Sequence, residues 1–291
     1  MLNYSVFYWF IIVLGFLSCI GPFLTYFKER GEKAYIYLLF LSIVTGPIWS
    51  ISSVTFLAAN TYDIGNLWIK IIYLSSVVIG ILHFVFTSNY LQKRKANFLT
   101  YLILIVGGVT ISYSILFTNS FVKSINIGEE NYANISIFYY IWIVWLVFIF
   151  SGNLLHVLKQ YKVLSFIEKE QHKYLIIGTI LTTIGSFPAN IILPIWGIYQ
   201  YIWVGPAIFS ISNIIISYGL TQTKFARFSR IVREFLRIIS LYISPSIIVV
   251  VLLINSKQLF YGLNIENDLL IYPILVLLVA SFIKFVEILS N

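Results

Sequence analysis

An α-helix needs about 20 consecutive, mostly apolar residues to cross the hydrocarbon core of a bilayer. This 291-residue chain contains nine such stretches, at residues 5–27, 34–58, 67–91, 98–118, 136–158, 174–194, 201–220, 238–256 and 269–289. Inside hydrocarbon every backbone N–H and C=O must be satisfied within its own segment or by a neighbour, so stretches of this length must be helices. The expected fold is therefore an all-α, polytopic transmembrane bundle of about nine spans. Composition agrees: 10% of residues are charged, against about 25% in a soluble domain. The first stretch, SVFYWFIIVLGFLSCIGPFLTYF, lacks a charged leading region and a small-residue cleavage site and is too long for a signal peptide. It is expected to stay as a helix.

The net charge of +8 would suggest nucleic acid in a soluble domain, but its distribution points to an anionic inner leaflet instead. Fifteen of the nineteen Lys and Arg residues follow odd-numbered spans, and two, Lys123 and Lys257, follow even-numbered ones. Lysine and arginine concentrate in cytoplasmic loops, so the N-terminus is expected outside and the C-terminus in the cytoplasm of a plasma-membrane protein. The longest loop, about 119–135, is too short for a soluble domain.

Several chemistries are excluded. Cys19 is the sole cysteine, which rules out a disulfide framework or a cysteine zinc site. No phosphate-binding loop and no H-E-x-x-H motif occurs. No carboxylate sits mid-span, against proton-coupled transport and paired-acid intramembrane proteases. The 201–220 span contains no lysine, so no retinal Schiff base forms there. Neither a cofactor nor a metal site is expected. His156, Glu168, Glu170 and His172 form the one polar grouping that would suit a lipid-modifying enzyme, and their spacing matches no catalytic motif. His83 lies within the third span; it is either a proton-sensitive or ligand-donating group, or a neutral imidazole bonded to a neighbouring helix.

Residues 168–219 are the most informative part of the chain. Pro188 and Pro194 remove backbone donors and kink the sixth span, freeing carbonyls that need partners, one of which Asn190 could serve. A tight loop with Trp196, Gly197, Tyr199 and Trp203 follows, then Gly205-Pro206. These elements suggest a small cavity opening outward, with Asn190, Trp196, Tyr199 and Trp203 as candidate ligand contacts; the competing reading is an interfacial aromatic belt. In the second span Gly46-Pro47 and Trp49 mark a similar kink that could line the same space. After the seventh span, KFARFSRIVREFLR places its apolar residues opposite Arg227, Arg230, Arg233 and Arg237, the pattern of a cationic amphipathic helix on the inner leaflet.

Glu168, Gln171, Tyr174-Leu175, Gly178, Asn190, Pro194, Gly197, Gly205 and Tyr218-Gly219 follow a pattern that resembles the seven-transmembrane input region at the N-terminus of bacterial sensor histidine kinases. Ile81-Leu82-His83-Phe84 is similar to a Leu-His-Phe of that family's third span, and Phe225 to a Phe of its exit segment. The resemblance implies a sensory region at 1–222, a cytoplasmic connector at 223–237, and two further spans at 238–291 of the kind some relatives carry. No phosphoacceptor helix or ATP-binding domain follows in these 291 residues, so the resemblance lends no kinase activity; the output belongs to a separate protein, or the chain is a shortened relative.

The expected function is that of a membrane sensor. It binds an apolar or amphiphilic signal in its outer half and passes a helix rearrangement to a cytoplasmic signalling partner, a kinase or response protein. A second copy of the chain is a further expected partner; nucleic acid is not. The alternative is a transporter or permease-like subunit for a neutral or lipidic substrate, weakened by the missing mid-membrane charge and the lack of an internal repeat.

Overall fold

The computed structural model describes residues 2–28, 33–90, 98–128, 130–162 and 164–224. The arginine-rich connector and the stretches 238–256 and 269–289 lie outside the described residues.

Among the described residues ten helices follow in order: α1 Leu2–Leu17, α2 Ile20–Lys28, α3 Lys33–Ile43, α4 Trp49–Leu57, α5 Tyr62–Tyr90, α6 Phe98–Phe117, α7 Ile137–Tyr161, α8 Phe166–Phe187, α9 Leu193–Ile195 and α10 Val204–Lys224. Among the described residues six segments are long and apolar enough to cross a membrane: Tyr8–Phe27, Ala34–Leu57, Tyr62–Tyr90, Thr100–Phe117, Ile137–Tyr161 and His172–Ile195. Val204–Leu220 is a shorter apolar helix. These seven coincide with the first seven stretches expected from sequence.

Two spans are interrupted by π-turns at the prolines. Val44–Ile48 separates α3 from α4 around Pro47, and Pro188–Ile192 separates α8 from α9. A proline cannot donate to the carbonyl four residues back, and one wide turn absorbs the missing bond without ending the span. At the first of these, Gly46 lies against Gly15 of α1 so closely that a Cβ on either residue would meet the other's backbone.

The loop between α6 and α7 carries the one departure from all-helical architecture among the described residues. Strands β1 (Val122–Asn126) and β2 (Tyr132–Ile135) pair antiparallel, with Ile125 opposite Ala133, and both of these residues are buried. Asn131 ties the hairpin down: its Nδ2 donates to the carbonyls of Phe56 and Ala59 at 2.9 and 2.7 Å, closing the exposed end of α4. Lys70 donates from Nζ to the carbonyl of Leu116 at 3.2 Å. It thus serves a free carbonyl in the last turn of α6, where a cation is favoured.

The most extensive helix contact among the described residues joins α8 to α10. Its basis is small residues. Gly178 faces Ile216 and Ser212, Gly205 faces the Asn190 amide and Gly219 faces the Tyr174 ring, each with too little room for a Cβ. Ser212 Oγ donates to the Gly178 carbonyl at 2.6 Å. Without a hydrophobic drive between helices in lipid, such close backbone approach and short interhelical hydrogen bonds hold spans together. At the start of α8, Glu168 accepts from the N–H and hydroxyl of Ser165 at 2.9 and 2.7 Å, in the reciprocal cap that Ser-x-x-Glu signals.

Candidate functional site

A cavity of about 370 Å³ lies where α4, α5, α7, α8 and α10 meet. Trp49 from the start of α4 and Phe209 from α10 form one wall, their rings 5.5 Å apart. Tyr73, Ser76 and Ile79 come from α5; Trp142, Leu146 and Phe150 from α7; and residues 182–191 from α8 and its π-turn. Helices of the second, sixth and seventh spans therefore meet at one space, which sequence alone does not show. Further evidence of that meeting is Asn213 of α10, whose Nδ2 donates to Thr45 Oγ1 in the first π-turn at 2.6 Å.

The mouth lies sideways. Val147 and Ser151 of α7 and Ile184 of α8 line the cavity and are also exposed, Ile184 at 69%. Residues 142–151 occupy the middle of α7, so this gap faces mid-span between two membrane-crossing helices rather than a connecting loop.

An aromatic layer closes the end nearest the hairpin. Tyr73, Phe121, Tyr139 and Trp142 pack with ring centroids 5.0–5.9 Å apart. Tyr139 serves the kink directly. Pro194 leaves the Asn190 carbonyl without its helical donor, and the Tyr139 hydroxyl is placed to donate to the carbonyls of Asn190 and Ile191 at 3.3 and 3.1 Å. The Asn190 amide itself donates to Ser186 O at 3.3 Å. Cavity hydroxyls are spent on their own helices: Ser76 on Tyr73 O, Thr182 and Thr183 on Thr179 O, Ser186 on Thr182 O. The Trp142 indole N–H donates to Ser76 Oγ at 3.1 Å.

Of the four ligand contacts expected from sequence, Asn190 lines the cavity and the other three do not. Gly197 takes φ +76°, a left-handed conformation open to glycine at little cost, and reverses the chain there. Tyr199 folds back into the aromatic layer, its hydroxyl 3.2 Å from that of Tyr73; burial pushes its phenol far above the ordinary range, so it stays neutral. Trp203 is buried at the start of α10. Trp196 is 70% exposed and borders a shallow hollow with Tyr132 of the hairpin. Tyr73, Trp142 and Phe209 were not legible as site residues, because helices apolar on every face carry no periodic sign of which side turns inward.

His83 lies outside the cavity wall. Its Nδ1 is 3.0 Å from Asn153 Nδ2 on α7, and Asn153 Oδ1 in turn accepts from Thr87. The pair links α5 to α7 as a buried polar clasp. Among the described residues no three His, Cys, Asp or Glu side chains gather as a metal site would require.

No curated protein and no solved structure matches the chain at a significant level. A family model described as the N-terminal 7TM region of histidine kinase matches residues 7–229. The match takes in the π-turns, the cavity and the close α8–α10 contact. With more than two thirds of its length inside that match, the chain belongs to the family of N-terminal seven-transmembrane regions of histidine kinases.

Proposed function

We propose that this chain reads an apolar or amphiphilic signal in the five-helix cavity and converts its occupancy into movement of α8 against α10. Its family is a sensory membrane region without catalytic activity of its own, and the observation that carries the finer reading is the cavity itself. The space is enclosed by both π-turned spans, and Phe209 in its wall belongs to the same helix that packs on α8 through Gly178, Gly205 and Gly219. A ligand that favours one arrangement of that contact shifts its population by the difference in affinity between the two arrangements. In the sequence α10 is followed by the arginine-rich connector, which delivers the shift to a cytoplasmic signalling protein at the inner face of the plasma membrane. In this reading the N-terminus is outside, as the lysine and arginine distribution favours, and the cavity serves the outer half of the bilayer.

The test is isolation of the tagged full chain in mild detergent, with mass spectrometry of what accompanies it. A cytoplasmic kinase or response protein held at near-stoichiometric ratio through a second purification step supports a sensor. A chain that carries no such protein and moves a neutral solute across proteoliposomes would overturn the reading in favour of transport.

A further inference from the structure

Inside its rim the cavity offers a ligand almost no polar group. The hydroxyls of Ser76, Thr182, Thr183 and Ser186 donate to carbonyls of their own helices, and the Trp142 indole N–H ends on Ser76. The Tyr73 hydroxyl meets that of Tyr199. Trp49 Nε1 and Asn190 Oδ1 are buried within the packing rather than on the cavity surface, the Asn190 amide lying against Gly205. No charged side chain is among the lining residues. Water in such a space finds few of the two to four partners it needs, and apolar cavities of about 150 Å³ stay dry and bind small hydrocarbons. This one is about 370 Å³.

The rim shows what stands at the entrance. Val147 and Ser151 of α7 are one helical turn apart, and so are Ile184 of α8 and Pro188 at the head of the second π-turn; all four line the cavity and are exposed. The mouth is thus a slot along two helices, about 6 Å long at 1.5 Å per residue. It opens at mid-span, within the hydrocarbon core of the bilayer. We propose that the slot admits the acyl chain of a bilayer lipid, whose headgroup stays at the interface. This rests on the sensory reading of the cavity and names the molecule it takes. At about 30 Å³ for each water-sized group, 370 Å³ holds a chain segment of about a dozen carbons and not a whole lipid. A headgroup would find no polar partner inside and would leave its own charges unpaired. Lipid tails are as apolar as the wall, so transfer from the membrane gains little hydrophobic free energy. Dispersion contact with the wall decides occupancy instead, and it falls steeply with any gap. The site therefore distinguishes chains by shape, and the protein reads the chain composition of its own membrane.

The experiment photolabels the full chain in nanodiscs doped with one of three probes and maps adducts by mass spectrometry. The probes are a phosphatidylcholine with a diazirine near the chain end, the same lipid with the diazirine beside the headgroup, and free phenyl(trifluoromethyl)diazirine. Val109, mid-span on α6 and 64% exposed, is the reference for ordinary contact with lipid. The chain-end probe is expected to label Trp142, Phe150 and Phe209, and the headgroup-side probe to leave them unlabelled. Val147→Trp and Ile184→Trp crowd the slot from exposed positions, and thermal melts report that they fold. Each should cut chain-end labelling of the cavity severalfold relative to Val109. Equal cavity labelling by the two lipid probes, or chain-end labelling that neither folded variant lowers, would overturn entry of a chain through the slot; the comparison of lipid probes in the wild-type chain needs no variant. Cavity labelling by the free diazirine alone would replace the lipid chain with a free apolar ligand and leave the sensory cavity standing. Labelling of the cavity by no probe would remove the cavity reading itself.

Discussion

Replacing Tyr139 by Phe isolates the element that holds the sixth span in its kinked form. The ring stays, so the aromatic contacts with Tyr73, Phe121 and Trp142 are kept. What is lost is one O–H whose proton is shared between the carbonyls of Asn190 and Ile191. Pro194 has no N–H to offer the first of these, and Tyr139 is fully buried, so no water replaces the donor. An orphaned buried carbonyl costs about 1–3 kcal/mol. Interhelical hydrogen bonds measured in membranes average nearer 0.6 kcal/mol, because unfolded spans also find partners. The kink removes the local helical partner on which that smaller figure depends, so the expected loss is about 1–2 kcal/mol. At about 2–4 °C for each kcal/mol in a chain of this size class, the melting temperature in detergent falls by about 2–8 °C. Tyr113→Phe, at a residue 61% exposed on α6, is the control and should move the melt by less than about 0.5 kcal/mol would. If the two variants melt together, the Tyr139 hydroxyl does not stabilise the kink and the argument for it is refuted.

Three further outcomes are expected. Gly219→Ala puts a Cβ against the Tyr174 ring; overpacking of this kind costs about 1–3 kcal/mol, and a melt equal to wild type would show that α8 and α10 separate freely. Asn131→Ala removes the donor that Phe56 and Ala59 share and should speed amide exchange across β1 and β2 far more than in α8; uniform exchange would mean the hairpin is held by its own ladder. For orientation, a membrane-impermeant maleimide applied to intact cells should label Ser124→Cys in the hairpin but not Lys162→Cys after α7, both in a Cys19→Ala background. The reverse pattern would invert the topology.

Part of this protein follows from composition and order alone. Long apolar stretches in lipid have one structural solution, so seven spans at 5–27 through 201–220 were legible before any packing was known. The family pattern was legible too, although its residues turned out to be mainly a packing device: Gly178, Gly205 and Gly219 exist to admit a neighbour's side chain, and Glu168 to start α8. The cavity was legible only at Asn190 and, through its kink, at Trp49. Prolines announce that backbone bonds are broken, but not which hydroxyl repairs them, and Tyr139 lies some fifty residues away along the chain. The tertiary structure decided the rest. In helices apolar on every face no residue signals its direction, so only packing could place Tyr73, Trp142 and Phe209 inside and turn Trp196 outward at Gly197.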